Sequence, residues 1–85
     1  MDLESIDYFV KVAEARSLSS AARLHRLPKS TLSHKIRALE DRLGVALFVR
    51  EGRNLLMTDA GLEFLDHARR IQTSCDNAEA AIMAQ

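Results

Sequence analysis

A mainly α fold is predicted here: a winged helix-turn-helix of three helices and a small β-hairpin, followed by one long helix. Three observations in the 85-residue chain predict it. Leu32, Ile36, Leu39 and Leu43 recur at spacings of four, three and four, one apolar stripe on a helix. A short helical segment, Ser19 to Leu27, precedes that helix across a tight connection at Leu27-Pro28, the helix-turn-helix pattern. After Gly44 the period changes, and two short apolar segments flank Glu51-Gly52-Arg53, the signature of a hairpin.

The first helix is expected over residues 3–15. Asp2 is its cap, Glu4 and Asp7 lie near its positive end, and Leu3, Ile6, Phe9, Val10 and Ala13 give the period. Tyr8 and Phe9 are read as packing residues rather than base-stacking platforms. Arg16-Ser17-Leu18 links to the second helix, for which Ser19 is the expected cap. Ala21 and Ala22 permit close helix crossing, with Leu24 and Leu27 turned to the shared core.

On the third helix the side opposite the stripe carries Ser30, His34, Arg37 and Asp41, with Thr31 and Ser33 on its shoulders. Hydroxyls and cations at a helix head suit phosphate oxygens and base edges. Gly44 is placed to cap its far end. In the hairpin, formed by Leu47-Phe48-Val49-Arg50 and Asn54-Leu55-Leu56-Met57, Arg53 sits at the tip and Arg50 at a strand end. A tip arginine suits the minor groove and a strand-end arginine a phosphate. Leu56 is expected to point outward.

Thr58 caps the last helix, which runs without proline to Gln85, about 26 residues or about 39 Å. Leu62 and Leu65 are expected to pack back on the body. Phe64, Ala68, Ile71, Cys75, Ala78 and Ile82 keep a four-three-four-three-four spacing, a heptad seam able to pair with a second copy. The expected division is therefore a winged helix-turn-helix over 1–58 and a dimerising linker helix over 59–85.

Net charge is zero, but its distribution is not even. Residues 16–53 hold nine Lys or Arg against three acids; the flanks hold three against nine. That polarity is the electrostatic footprint of a nucleic-acid reader. Chemistry of other kinds is not indicated. No nucleophile elbow or phosphate-cradling glycine loop is present, and His25, His34, His67 and Cys75 lack metal-ligand spacing. No enzyme activity, metal or cofactor is expected. The single cysteine forms no internal disulfide, and without an eighteen-residue apolar run or a signal-like N-terminus the chain is expected to be soluble and cytoplasmic, with no membrane partner. The alternative reading is a helical protein-interaction or dimerisation module without specific DNA binding.

Together these residues resemble the N-terminal domain of LysR-type transcriptional regulators, from about Leu3 to Ile71. The resemblance lies in Tyr8-Phe9-Val10 with Val12-Ala13-Glu14, and in Ser20-Ala21-Ala22 with Leu24. It continues in Leu32-Ser33, Ile36 and Leu39-Glu40, in Leu43-Gly44, Leu47-Phe48 and Arg50, and in Thr58 with Ala60-Gly61. It implies sequence-specific binding of double-stranded promoter DNA by a homodimer paired antiparallel through the linker helix. It further implies a longer protein, tetrameric, whose missing C-terminal domain binds a small effector. By the same resemblance, base-reading positions fall on Pro28, Lys29, Ser30 and Thr31, and phosphate contacts on Ser33, His34 and Arg50; the minor-groove arginine is Arg53. Lys35 and Arg37, on the same helix, complete the expected DNA-binding set. Two residues depart from the pattern. Pro28-Lys29 replaces a capping serine and a glutamine, so Lys29 donates to guanine N7 or O6 but lacks glutamine's two-way contact with adenine. His34 replaces an arginine or lysine, which makes its phosphate contact pH-sensitive.

Overall fold

The structure, a computed structural model, describes residues 1–85 as four helices and one two-stranded antiparallel sheet. Helix α1 (Leu3–Ala15) begins at Asp2, whose carboxylate accepts the Ser5 N–H at 2.9 Å. That hydrogen bond holds the Asp2 carboxyl below its ordinary pKa. Ile6, Phe9, Val10, Val12 and Ala13 are buried, whereas Leu3 is exposed at the lip of an open groove shared with Cys75.

Helix α2 (Leu18–His25) starts earlier than expected. Its cap is Ser17, not Ser19: the Ser17 hydroxyl accepts the Ser20 N–H at 3.0 Å. The reason is Arg16, whose left-handed backbone (φ 59°) ends α1 abruptly and turns Leu18 straight into the core. The core face of α2 is therefore Leu18 and Ala21, and Leu24 points out, 71% exposed. Leu27, beyond the helix, packs against the core instead.

Helix α3 (Lys29–Leu43) buries Leu32, Ile36 and Leu39 as its stripe requires. Leu43 does not follow them. The helix ends there, at left-handed Gly44, and Leu43 is 39% exposed.

Strands β1 (Phe48–Glu51) and β2 (Asn54–Met57) pair Phe48 with Met57 and Arg50 with Leu55. The loop is Gly52-Arg53 alone, and Glu51 belongs to the strand. Positive φ at Gly52 but not at Arg53 fits a type II′ hairpin turn. Leu55 faces the body, while Val49 and Leu56 form an exposed apolar pair outside.

A hairpin of this size is marginal by itself, and the body holds it by both edges. In an antiparallel ladder alternate N–H groups point away from the partner strand. Phe48 donates its outward N–H to Glu40 Oε2 at 3.3 Å, and Leu55 donates to the Arg16 carbonyl at 2.9 Å.

Helix α4 (Asp59–Met83) is capped by Thr58, as expected. The Thr58 hydroxyl accepts the Gly61 N–H at 3.0 Å and donates to the Ala46 carbonyl at 2.7 Å, and the Thr58 N–H reaches the Leu47 carbonyl at 3.0 Å. Gly61 presses on the same carbonyl: a Cβ there would lie 2.1 Å from Leu47 O. The expected seam splits in two along this helix. Phe64 meets Phe9 edge to face at 4.9 Å, Ala68 has no exposed surface, and Ile71 packs against the core. Those three residues pack in the chain's own domain, because α1 lies over that stretch, with Ala68 fully buried and Phe64 and Ile71 half-buried. Gln72 extends the docking with a hydrogen bond to Asp7 at 3.0 Å. From Thr73 onward every residue except Cys75 is exposed, including Ala78 and Ile82. Leu62 is also exposed, on the side away from Ala68, while Leu65 packs on the body.

Candidate nucleic-acid interface

The head of α3 carries no side-chain cap, since Pro28 has no oxygen to offer. The Pro28 carbonyl instead accepts the N–H groups of Thr31 and Leu32, at 3.1 and 3.3 Å. The N–H groups of Lys29 and Ser30 remain at a positive helix end, a place suited to an anion.

Two open grooves run between α3 and the hairpin. The upper one, by the hairpin tip, is lined by Lys29, Arg50 and Arg53 together with Ser19 at the start of α2. The lower one is lined by Ser33, Arg37 and Arg50, with Glu40 at its base. Arg50 borders both. Thus Lys29, Ser33, Arg37, Arg50 and Arg53, distant in sequence, come together along one concave, cationic side of the molecule. None of these cations takes part in an ion pair. Ser30 and His34 are exposed on the outer side of α3, and Thr31 is half-buried on its opposite shoulder.

Lys35 departs from the expected set. It lies on the flank of α3 that faces α1, and its Nζ pairs with Glu4 at 2.7 Å, 5.9 Å from the Tyr8 ring centre. The hydrogen bond to Glu4 raises its pKa above the ordinary lysine range. The pair joins α1 and α3 at the surface. Only the packing of α1 shows which shoulder of α3 is occupied.

Glu40 is the residue that sequence reasoning missed. Its Oε2 accepts the N–H groups of Leu47 and Phe48, at 2.7 and 3.3 Å, across the loop from α3 to β1. An acid in the most basic stretch of the chain was the available signal. No group of three or more His, Cys, Asp or Glu side chains is arranged to hold a metal ion, and no helix is long and apolar enough to cross a membrane.

The profile of the bacterial regulatory helix-turn-helix proteins of the lysR family matches residues 3–62, from α1 into the first turn of α4. The chain belongs to the LysR family. Among its relatives, an HTH-type transcriptional regulator of Xanthomonas campestris pv. campestris is 41% identical over 81 residues, covering 95% of this chain and 24% of the relative. The transcriptional dual regulator GltC of Bacillus subtilis is 40% identical over 82 residues, covering 96% and 27%. The chain thus spans about a quarter of the length of these LysR-family regulators. Its fold matches the CbnR DBD–DNA complex with a TM-score of 0.92 at 33% identity, over 99% of this chain and 97% of that one. The BenM DBD in complex with benA site 1 DNA gives 0.93 at 30% identity, over 99% and 98%.

Proposed function

We propose that this chain binds double-stranded promoter DNA sequence-specifically, as the DNA-binding part of a bacterial LysR-type transcriptional regulator in the cytoplasm, and that it acts by binding rather than by catalysis. The observation that carries the reading is the concave cationic side, where α3 supplies Lys29 and Arg37 and the hairpin supplies Arg50 and Arg53. The LysR-type relatives solved on DNA support it. The head of α3 enters the major groove, which is wide enough for a helix, with Lys29, Ser30 and Thr31 toward the bases. Ser33, His34, Arg37 and Arg50 meet phosphates, and Arg53 follows the adjacent minor groove. Lys35 is left out of the contact set, its ammonium being held by Glu4.

Residues 1–58 form the reading unit and 59–85 the linker in this proposal. Two copies pair through the projecting end of α4, where Cys75, Ala78 and Ile82 continue the apolar stripe past the body. Ile82, 70% exposed, is its outermost large residue. Ile82→Glu is expected to convert a dimer to monomers in sedimentation equilibrium; an unchanged mass would remove this seam. Tetramer formation and response to a small effector belong to the longer protein that the relatives' length suggests.

The direct test is duplex binding against salt. Affinity for a bound promoter fragment falls steeply with salt as counterions are released, with a log–log slope of about −0.9 for each phosphate neutralised. Arg53→Ala is expected to weaken binding about tenfold and to make the slope shallower by about one. Binding without a salt slope, unaffected by Arg53→Ala, would favour a helical interaction module instead.

A further inference from the structure

Resting on the DNA-binding reading, we propose that Glu40 is the positioning residue of the wing, setting where the hairpin arginines stand relative to the head of α3. Electrostatics alone make a carboxylate beside Arg37 and Arg50 unfavourable in a surface that meets a polyanion. Its hydrogen bonds show what it does there. Glu40 Oε2 holds the last residue of the α3–β1 loop and the first residue of β1 through their N–H groups, at 2.7 and 3.3 Å. The hydrogen bond at the opposite edge of the hairpin is backbone to backbone, Leu55 N–H to the Arg16 carbonyl, beside the buried Leu55 side chain. Among side chains, Glu40 alone hydrogen-bonds the body to the base of β1.

Leverage makes that bond consequential. Arg50 lies two residues beyond Phe48 and the turn begins at the fourth, Gly52, so the tip is about 13 Å from the bond at strand rise. With the other strand fixed at Leu55, losing this bond lets the β1 edge swing about that anchor, which displaces Arg50 and tilts the tip carrying Arg53 out of its groove contact. Because Glu40 sits on the helix that also carries Lys29 and Ser30, it joins both halves of the reading surface through one carboxylate.

The experiment is a double-mutant cycle on the 85-residue chain, read by duplex binding and by hydrogen exchange of the Leu47 and Phe48 amides. Glu40→Ala is expected to weaken binding about tenfold although it removes a negative charge, and Glu40→Gln, which keeps an acceptor oxygen, to recover it to within about twofold. Arg53→Ala, costly in the parent, should cost less than about twofold in the Glu40→Ala background, because the tip is already misplaced. Both amides should exchange faster in Glu40→Ala and not in Glu40→Gln.

Equal or tighter binding by Glu40→Ala overturns the proposal, as does a full Arg53→Ala penalty in that background. The second result is what a residue serving only stability would produce. Failure of Glu40→Gln to restore binding, or unchanged amide exchange, overturns it as well. Should Glu40→Ala not fold, Glu40→Asp, which retracts the carboxylate by one methylene, enters the cycle in its place. If the parent binds no duplex yet its two amides respond to Glu40→Ala as expected, the functional reading falls while the clamp on the hairpin stands.

Discussion

Phe9→Ala is expected to destabilise the fold by about 4 kcal/mol, the usual cost of emptying a fully buried aromatic site. Phe9 has no exposed surface and joins the wing to α4. Its ring lies 5.3 Å from Phe48 at the base of the wing and 4.9 Å, edge to face, from Phe64 on α4. Each aromatic pair adds about 0.5–1.5 kcal/mol beyond area burial. Domains of this size are stable by only about 5–15 kcal/mol in all, so the variant should be largely unfolded at moderate urea. Phe9→Leu, which keeps an apolar side chain but loses both ring contacts, should lose about 2 kcal/mol. Urea titrations of both, with m-values compared to the parent, make the measurement. Equal losses in the two variants would show that the side-chain volume kept by leucine contributes little and that the cost lies in the ring contacts both variants lose.

Gly61→Ala should cost about 3 kcal/mol, at the upper end for forced overpacking, and lower the thermal midpoint by about 15 °C. The methyl group would meet the Leu47 carbonyl oxygen at 2.1 Å and its carbon at 3.1 Å. That carbonyl has little room to yield. It accepts the Thr58 N–H at 3.0 Å, and the N–H of the same residue is bonded to Glu40 at 2.7 Å. The Leu47 side chain is only 1% exposed. Either the first turn of α4 lifts away or the segment leading into the wing shifts. Alanine is otherwise the better helix residue by about 1 kcal/mol, so this substitution acts against propensity. Calorimetry of the two proteins decides it, and a midpoint within about 3 °C of the parent would mean that the Leu47 carbonyl moves aside at no cost.

Much of this architecture was legible in the residues. The α3 stripe, the caps at Asp2 and Thr58 and the hairpin were readable because each is a local property, set by side chains a few positions apart. What was not legible depended on neighbours distant in the chain. Ser17 and Ser19 are equally good caps by type, and the choice fell to the left-handed Arg16. The shoulder of α3 bearing Lys35 looked free until α1 brought Glu4 to it. A heptad repeat in α4 cannot distinguish its own domain from a second copy, since both require the same spacing; α1 claims Phe64, Ala68 and Ile71 and leaves the rest. Glu40 and Gly61 were visible as letters of a motif, but their work, a bond and a contact with the Leu47 backbone, spans a loop whose path the sequence does not state.

The anchoring of the hairpin has a further consequence, for solubility. Short exposed strands invite other chains to extend them through unsatisfied main-chain donors and acceptors, a route to fibrous aggregates. Here each border of the ribbon has one of its outward donors engaged, at Phe48 and at Leu55, and neither strand exceeds four residues. Runaway cross-β stacking is discouraged, although Val49 and Leu56 lie bare on the outer surface.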